Sequence, residues 1–357
     1  MLTLQPPPGG EQLTAFKLDP ATGVLMSPTT TPVTLVAGLA VDPSGRFLYA
    51  SNADVFAPAI DIFSSDSKSG SLTQDGAFVL TTICPLCAPV NGPGALATDP
   101  QGHFLYYGSN TFGFGLTEVV GGLSVAAGTG ALNFVPGSPF SADDVPFYLQ
   151  VHPGGHFLFT VNTPNPPDFS VSGVSGFSID SSTGALTPVP GSPFSVSLHA
   201  DLAGFAIHPS GKYLYVSTAK SANGILAWSV DTATGALSPL TESPFAPGTS
   251  PVGIAINPSG KFLYSANPLS GGGIFGFTID SASGALTPLT GSPFDMSARL
   301  GDCTIDPSGK FLLAADATNK TLVIFSIDAS TGALSQIGSP TPLDAVPFVI
   351  LMTKAPQ

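Results

Sequence analysis

Short apolar segments alternate with polar turns along the whole chain, and one kind of turn recurs six times. The copies have the form Asx/His-Pro-x-Gly-x-aromatic-Leu-x and occupy residues 42–49, 99–106, 152–159, 208–215, 257–264 and 306–313. The Asx side chain binds backbone groups ahead of it, Pro sets φ and Gly takes the positive φ of the turn. An apolar segment such as 253–256 precedes each turn and an alternating segment such as 261–264 follows it. Each copy therefore predicts a β-hairpin.

A second turn motif, Phe/Trp-x-Ile/Val-Asp-x-x-Thr/Ser-Gly-Ala-Leu, recurs seven times. Its clearest copies are residues 177–186, 228–237, 277–286 and 325–334, weaker copies begin at Phe16 and Phe63, and one that lacks its Asp ends at Leu132. Here Asp opens the turn and Gly closes it, which predicts a second hairpin. The two motifs together predict four strands in each repeat of about 50 residues, the size of one propeller blade.

The unequal numbers of the two motifs indicate how the ends are used. The chain begins with a second motif, and residues 346–352 resemble an incoming strand with nothing after it. We predict an all-β fold, a seven-bladed β-propeller of four-stranded antiparallel blades, with a ring closed by a blade that the N- and C-termini share. Such closure removes a sheet edge that favours aggregation. Residues 1–357 are then a single domain, with blades at 29–79, 80–139, 140–193, 194–244, 245–293 and 294–340 and a closing blade of 1–28 plus 341–357.

The composition narrows the classes of function. Only 9% of the residues are charged and the formal net charge is −13, whereas an average soluble protein has about 25% charged residues. Clustered cations that neutralise phosphates are missing, so a nucleic-acid partner is excluded. The 41 Gly and 36 Pro disfavour a helical bundle. No apolar run predicts a membrane span. The chain has few Lys and Glu residues, whose charges keep protein surfaces apart, so we expect self-association.

The repeats resemble those of the seven-bladed propeller lactonase family, which includes propeller-type 6-phosphogluconolactonases and carboxymuconate cyclases. The resemblance rests on Pro-Ser-Gly-Lys-Phe-Leu-Tyr, on Phe-x-Ile-Asp-x-x-Thr-Gly-Ala-Leu-Thr-Pro, and on Gly-Ser-Pro-Phe at 137–140, 191–194 and 291–294. It covers nearly the whole chain. It implies a lactone hydrolase, whose substrate is a sugar or carboxy lactone bound at the central funnel.

The family's catalytic residues are replaced at the matching positions. The resemblance implies Pro-Arg-His shortly before the Asx-Pro turn, but Gly94-Ala95, Phe147-Tyr148 and Val252-Gly253 follow the matching prolines. The histidine position of blade 6 holds Asp302. The Glu that the family places after the second strand is replaced by Ala53, Thr111, Thr163 and Pro268.

Loops at the predicted funnel supply another set of candidate residues. His199 is a candidate general base with Asp201 orienting it, Arg299 a candidate for binding an oxyanion or a substrate carboxylate, and Asp302 a candidate for positioning the substrate. The candidates for substrate binding are Asp143, Asp144, Asp344, Asn110, Asn162 and Asn267. The alternative is that His199 and Asp201 are ordinary solvated loop residues. We predict no cofactor and no metal site, because the remaining histidines occupy repeated turn positions.

Three cysteines bear on the compartment. Cys84 and Cys87 have redox spacing, but Pro89 and Gly92 prevent the helix that a thioredoxin-type motif needs. We expect a small structural disulfide, with free thiols or half of a metal site as alternatives. A disulfide favours an extracellular or periplasmic location, although residues 1–8 contain no signal peptide and a cytoplasmic location stays open. Cys303 lies in a predicted inner strand as a buried apolar residue.

A second class of function is a non-catalytic extracellular propeller. Its surface is rich in Ser, Thr, Gly and Pro and poor in charge, which suits binding of a glycan or protein partner, or self-assembly. A convergent polar pocket at the funnel with Arg299 facing it would favour the enzyme. A funnel lined by Gly, Val and Phe would favour binding or assembly.

Overall fold

The structure is a computed structural model. It describes residues 2–5, 11–34, 36–54, 57–80, 93–109, 118–142, 144–163, 172–196, 202–219, 224–245, 250–269, 272–295, 299–344, 346–347 and 350–354. These residues form 31 β-strands and contain no α-helix. The strands form seven separate antiparallel sheets, which confirms the prediction of an all-β seven-bladed propeller with mostly four-stranded blades.

Blades 1 to 3 follow one another along the first half of the chain. Blade 1 has β4 (Val36–Val41), β5 (Phe47–Asn52), β6 (Ala59–Ser65) and β7 (Leu72–Val79). Blade 2 has β8 (Pro93–Thr98), β9 (Phe104–Ser109), β10 (Val119–Val125), β11 (Leu132–Phe134) and β12 (Phe140–Ser141). Blade 3 has β13 (Val145–Val151), β14 (Phe157–Thr163), β15 (Ser172–Ile179), β16 (Leu186–Pro188) and β17 (Phe194–Val196).

Blades 4 to 6 repeat the same order. Blade 4 has β18 (Leu202–Ile207), β19 (Tyr213–Thr218), β20 (Ile225–Val230) and β21 (Leu237–Pro239). Blade 5 has β22 (Ile254–Ile256), β23 (Phe262–Asn267), β24 (Gly273–Ile279) and β25 (Leu286–Pro288). Blade 6 has β26 (Leu300–Ile305), β27 (Phe311–Asp316), β28 (Thr321–Ile327), β29 (Leu334–Gln336) and β30 (Thr341–Pro342).

The seventh sheet contains both ends of the chain. It has β31 (Ile350–Leu351), β1 (Leu2–Gln5), β2 (Glu11–Leu18) and β3 (Leu25–Val33), in that order. β31 pairs antiparallel with β1, with Thr3 opposite Ile350. Ile350 is buried against Phe16, Ala315 and Leu322. The C-terminal strand is therefore an integral part of the seventh sheet.

The chain divides into two compact units. One comprises Met1–Pro32, Ala200–Val230 and Ser238–Lys354, and the other Val33–His199, Asp231–Leu237 and Ala355–Gln357. In the first unit the first strands β18, β22, β26 and β31 are successive neighbours, and in the second unit β4, β8 and β13 are. Inside each unit the first strands of successive blades thus lie side by side.

The first turn motif has the hydrogen bonds that its residues predict. The Asp99 and Asp306 carboxylates accept the backbone N–H of Phe104 (2.6 Å) and Phe311 (2.7 Å), respectively. His208 takes the same place in blade 4, where its Nδ1 faces the Ser210 N–H at 3.1 Å and its Nε2 lies 2.9 Å from the Gly260 carbonyl. The two turn histidines with i,i+4 spacing, His152 and His156, likewise belong to a turn. Among the described residues no cluster of His, Cys, Asp or Glu has the arrangement of a metal site.

The tyrosine of the first motif links neighbouring blades. Tyr264 in blade 5 donates its hydroxyl to the carbonyl of Gly332, the turn glycine of the second motif in blade 6, at 2.7 Å. Tyr215 binds Gly284 in the same way at 2.8 Å. Burial is the main cause that raises the pKa of both phenols, so they stay protonated donors at all working pH values. The tyrosine of one repeat therefore fixes the hairpin of the next.

Replacement of Gly332 by alanine should destabilise the protein strongly. Gly332 has φ +74°, and a Cβ there would lie 2.6 Å from the Phe262 ring. The left-handed backbone costs roughly 1–2 kcal/mol and the forced repacking about 1–3 kcal/mol. Gly338→Ala is the matched control, because Gly338 has φ +62° with nothing within 4 Å of its Cβ position. Urea unfolding should show a clearly larger loss for Gly332→Ala, and equal losses would contradict the packing part of the argument.

The Ser-Pro-Phe segments add an element that the motifs did not predict. After the short fourth strand the chain turns back through a cis Ser-Pro bond at 138–139, 192–193, 243–244 and 292–293. The following Phe then pairs with the third strand, as Phe194 does with Val174. The serine hydroxyl accepts a third-strand N–H, for example that of Gly176 on Ser192 at 3.1 Å. The segment thus pairs with the part of the third strand that the short fourth strand leaves unpaired.

Candidate functional site

The first strands of the blades carry a shared irregularity near their beginnings. The register shifts between Pro146 and Tyr148, between Leu202 and Gly204, and between Leu300 and Asp302. The residue after the shift is the position where the lactonase motif has its histidine. In the first unit this position holds Gly204, Gly253 and Asp302, so Asp302 is its only ionisable side chain among the described residues there.

Asp302 lies between the first strands on either side of it. On one side is Gly253, where a Cβ would come within 2.7 Å of the Asp302 Cα. On the other side the Ile350 N–H of β31 faces Asp302 Oδ2 at 3.4 Å. Its Oδ1 accepts the N–H of Cys303 at 2.8 Å. Two hydrogen bonds leave lone pairs of the carboxylate for another donor, because a carboxylate offers about four acceptor positions.

The environment of Asp302 favours its neutral form. Burial raises the pKa of Asp302 to about 6, and the N–H groups of Ile350 and Cys303 offset only part of that effect. The side chain is partly buried rather than enclosed. A partly exposed carboxyl group with a pKa near 6 can accept or release a proton near neutral pH, as general acid–base catalysis requires.

The carboxyl groups predict an unusual dependence of stability on pH. Asp302 has a raised pKa, so the folded state binds its proton more tightly and gains stability as pH falls from 7 toward 4. Turn residues act oppositely: the Ser182 hydroxyl, donating at 2.6 Å, together with the Thr183 N–H lowers the pKa of Asp180 to about 2. Their contribution is present above pH 4 and is lost as pH falls toward 2. Thermal unfolding should therefore show the highest Tm near pH 4–5, whereas a maximum at pH 7 or above would contradict these assignments.

Arg299 lies three residues before Asp302 and is exposed. No ion pair joins these two described residues. Arg299 is thus an exposed cation on the segment that leads into β26. Arg299 and Asp302 thus both lie at the start of β26, but they do not form an ion pair with each other.

The other predicted residues differ in their surroundings. Asn162 is buried and structural: its amide donates to Ser175 Oγ (2.7 Å) and it accepts the Thr160 hydroxyl (2.7 Å). Asn267 is fully buried. Asp144 is partly buried and Asp344 is exposed. The predicted residues His199, Asp201, Asp143, Asn110, Cys84 and Cys87 lie outside the described residues.

An aromatic pair marks the same strand position in blade 3. Phe147, at the register shift of β13, is 38% exposed, and its ring packs edge-on against Tyr148 with centroids 5.0 Å apart. Blades 1 and 2 hold Ala37-Gly38 and Gly94-Ala95 there. The repeat motifs do not predict a binding role for this pair, although two aromatic residues among small ones were the available signal.

Cys303 is buried and free, as predicted from its place in an inner strand. Burial raises the pKa of its thiol far above the ordinary range. It is therefore inert as a nucleophile. The described residues contain no helix that is long and apolar enough to cross a membrane.

Comparison with known proteins supports the resemblance that the motifs indicate. A family model described as a seven-bladed β-propeller lactonase matches residues 171–300, about a third of the chain. That match includes blades 4 and 5 but ends at the start of β26. No protein of curated function matches the chain.

Solved structures share the fold over nearly the whole chain. A candidate 6-phosphogluconolactonase from Bacteroides uniformis has a TM-score of 0.75 at 19% identity, covering 97% of this chain and 96% of that one. A candidate 6-phosphogluconolactonase from Bacteroides fragilis has a TM-score of 0.72 at 19% identity, covering 97% and 95%. The periplasmic gluconolactonase of Pseudomonas aeruginosa has a TM-score of 0.71 at 18% identity, covering 97% and 98%. At these identities the likeness shows the fold.

Proposed function

We propose that this chain, a seven-bladed propeller with a match to the lactonase family, hydrolyses a sugar or carboxy lactone at the start of β26. The observation that carries the proposal is Asp302, the one carboxyl among the glycines of the equivalent first-strand positions in its unit. The resemblance to lactonases supports the substrate class, and the surroundings of Asp302 support its role. Asp302 would then act in place of the histidine that the family motif has there.

Asp302 would serve as a general base. Its carboxylate removes a proton from a water molecule while the water oxygen attacks the lactone carbonyl carbon. The ring C–O bond then breaks, the ring oxygen takes up a proton, and the product is a hydroxy acid. The Cys303 N–H, which donates to Oδ1 at 2.8 Å, holds the carboxylate in one orientation.

Arg299 would bind the charged end of the substrate. Its guanidinium is exposed and three residues from Asp302. Planar guanidinium groups bind carboxylate and phosphate with two parallel hydrogen bonds. An anionic lactone, such as a carboxylated or phosphorylated one, therefore suits this position better than a neutral one. Arg299→Lys should raise KM for an anionic lactone more than for a neutral lactone of the same ring size.

The experiment that tests the function is a screen of aldonolactones and carboxy lactones with a pH indicator. Acid release above the uncatalysed rate, lost in Asp302→Asn, would support the proposal. Acid release that Asp302→Asn leaves unchanged would contradict the role of Asp302. The absence of hydrolysis for every lactone in the screen would favour the second candidate function.

We also consider a non-catalytic propeller that binds carbohydrate. The observation in its favour is the exposed Phe147 beside Tyr148, because sugar rings stack on aromatic faces. Phe147→Ala should abolish retention on a glycan surface while Asp302→Asn leaves it intact. Light scattering against protein concentration would test self-assembly in the same preparations. Glycan retention that Asp302→Asn abolishes and Phe147→Ala leaves intact would contradict this candidate.

We propose that the protein works in the periplasm or the extracellular space, with the cytoplasm as the alternative. One structural neighbour, from Pseudomonas aeruginosa, is described as periplasmic, and the spacing of Cys84 and Cys87 suits a disulfide. Mass spectrometry of the protein recovered without reductant tests this directly. A mass lower by two hydrogen atoms than that of the reduced protein is expected, and an unchanged mass would remove this support for the proposed location.

A further inference from the structure

The residue ten positions after the Asx or His of the first turn motif lies at or next to the end of the second strand and is polar in blades 1 to 6. In five of these blades it has a hydrogen-bond partner close in sequence. Asn52 accepts the Asp54 N–H, Ser109 accepts the Val119 N–H, and Thr218 donates to the Gly224 carbonyl. Asp316 accepts the N–H groups of Thr318 and Asn319, and Asn162 binds Thr160 and Ser175. The position therefore serves to hold the local strand ends together.

Blade 5 departs from this rule. Asn267 is fully buried, and no described residue gives a partner to its Nδ2 or its Oδ1. Ser265, two residues earlier and on the same face of β23, is also fully buried, and its Oγ likewise lacks a partner among the described residues. Three buried hydrogen-bonding atoms on one face of β23 thus have no partner among the described residues. Buried polar atoms left in this state destabilise the folded protein.

Comparison with blade 3 shows which hydroxyl group blade 5 lacks. There Thr160 and Asn162 occupy the positions of Ser265 and Asn267, and Ser175 lies opposite Thr160 on the next strand. The Asn162 amide donates to Ser175 Oγ. In blade 5 the residue opposite Ser265 is Phe275. The phenyl ring removes the hydroxyl that satisfies the amide in blade 3.

The pair faces blade 4. Leu263, on the same face of β23, belongs to one buried cluster with Tyr215 of blade 4 and Ile254 of blade 5. Beside this cluster Ser217 of blade 4 donates its hydroxyl to the Val252 carbonyl at 2.6 Å. The polar atoms of Ser265 and Asn267 thus lie where blades 4 and 5 meet, a region already crossed by one polar contact.

We propose that Ser265 and Asn267 form a binding site for an ordered water molecule between blades 4 and 5. Water is the ligand that fits the three atoms, because it donates two and accepts two hydrogen bonds and is small enough for a fully buried position. It would accept from Asn267 Nδ2, donate to Asn267 Oδ1, and exchange a hydrogen bond with Ser265 Oγ. The water replaces the Ser175 hydroxyl of blade 3.

Two measurements test this site. In a high-resolution crystal structure of the full chain, density for one water within hydrogen-bond distance of Asn267 and Ser265 is expected. In solution, the Asn267 side-chain amide should show magnetisation transfer from a long-lived water. A dry space, or a protein side chain that bonds to the Asn267 amide, would overturn the proposal.

A pair of variants tests the energetic consequence. Ser265→Ala should lower Tm by about 1–3 °C, because the bound water loses a partner. Thr160→Val is the matched control, since it removes a hydroxyl whose protein partner is known, and it should lower Tm similarly. A higher Tm for Ser265→Ala together with a lower Tm for Thr160→Val would overturn the proposal, because that is the behaviour of an unsatisfied hydroxyl.

Discussion

Removal of residues 346–357 is expected to open the seventh sheet and to lower the melting temperature by more than 10 °C, with aggregation on heating. The deletion removes β31, which pairs with β1. It exposes the buried surface of Phe16, Ala315 and Leu322, against which Ile350 packs. It also uncovers Phe311, Leu313 and Ile324, which Met352 covers. Burial of two apolar side chains of this size is worth on the order of 3–6 kcal/mol.

The unpaired edge of β1 would lower the stability further and promote aggregation. Without β31, the backbone N–H and C=O groups of β1 form a free strand edge, which is a template for pairing with another chain. A chain that ends at Met352 is the matched control, because it loses only residues that follow β31. Thermal unfolding and light scattering should show wild-type behaviour for this control. An unchanged Tm and a monomeric state in the longer deletion would contradict the shared-sheet account.

Asp302→Asn is expected to have two large effects of opposite sign. Lactone hydrolysis should fall by about 10²–10⁴-fold, because an amide cannot remove a proton from water. At pH 7 the variant should be more stable than the wild type, because it no longer keeps a partly buried carboxylate charged. A pKa of about 6 against about 3.9 in the unfolded chain corresponds to a gain of up to about 3 kcal/mol, reduced by the partial exposure of the side chain.

The gain in stability should depend on pH with a defined sign. The raised pKa means that the folded wild type is stabilised when Asp302 is protonated, so the difference between wild type and variant should shrink as pH falls from 7 to 4. Glu242→Gln is the matched control, since Glu242 is an exposed carboxyl with no assigned role, and it should change neither property. A loss of both activity and stability in Asp302→Asn would indicate a structural role for Asp302 rather than a catalytic one.

The fold could be predicted from the sequence because its repeats are turn and core residues. Asp99 accepts a backbone N–H in its turn, and Gly332 adopts the positive φ of its turn. Because each of these turns recurs six or seven times, the motifs define the repeated blade. The pairing of the two chain ends followed from a count of the motifs. What the motifs could not show is the return of the Ser-Pro-Phe segment to the third strand, because no alternation of polar and apolar residues precedes it.

The candidate site was harder to predict because it departs from the repeat. The place of Asp302 in an inner strand followed from its distance to the Asx-Pro turn. Its raised pKa did not, since burial causes it, and that burial comes from neighbouring strands that are distant in sequence, such as the one that carries Gly253. Asn162 and Asn267 were indistinguishable as candidates for substrate binding, yet one is bonded within its blade and the other is not. Their difference arises on the third strand. Ser175, opposite Thr160, bonds to the Asn162 amide, whereas Phe275, opposite Ser265, has no hydroxyl to offer to Asn267.

The few carboxyl groups of the chain differ in the direction of their pKa shifts, and this difference sets Asp302 apart. Many carboxyl groups are committed to turns, as Asp180 and Asp328 are, where hydroxyl and backbone donors lower the pKa of each. A carboxyl with a raised pKa is therefore an exception here. Asp61 is another, with its pKa raised by burial, but it is bound to Gln74 in the middle of blade 1.

The dependence of kcat/KM on pH for lactone hydrolysis tests the role of Asp302 most directly. Wild-type protein and Asp302→Asn would be compared by pH-stat titration between pH 4 and 8 on the best lactone of the screen. The account predicts that kcat/KM of the wild type rises about tenfold per pH unit below pH 6 and levels off above it, and that the variant lacks both the rise and the activity. A wild-type profile without an inflection near pH 6, or a variant that retains wild-type kcat/KM, would contradict it.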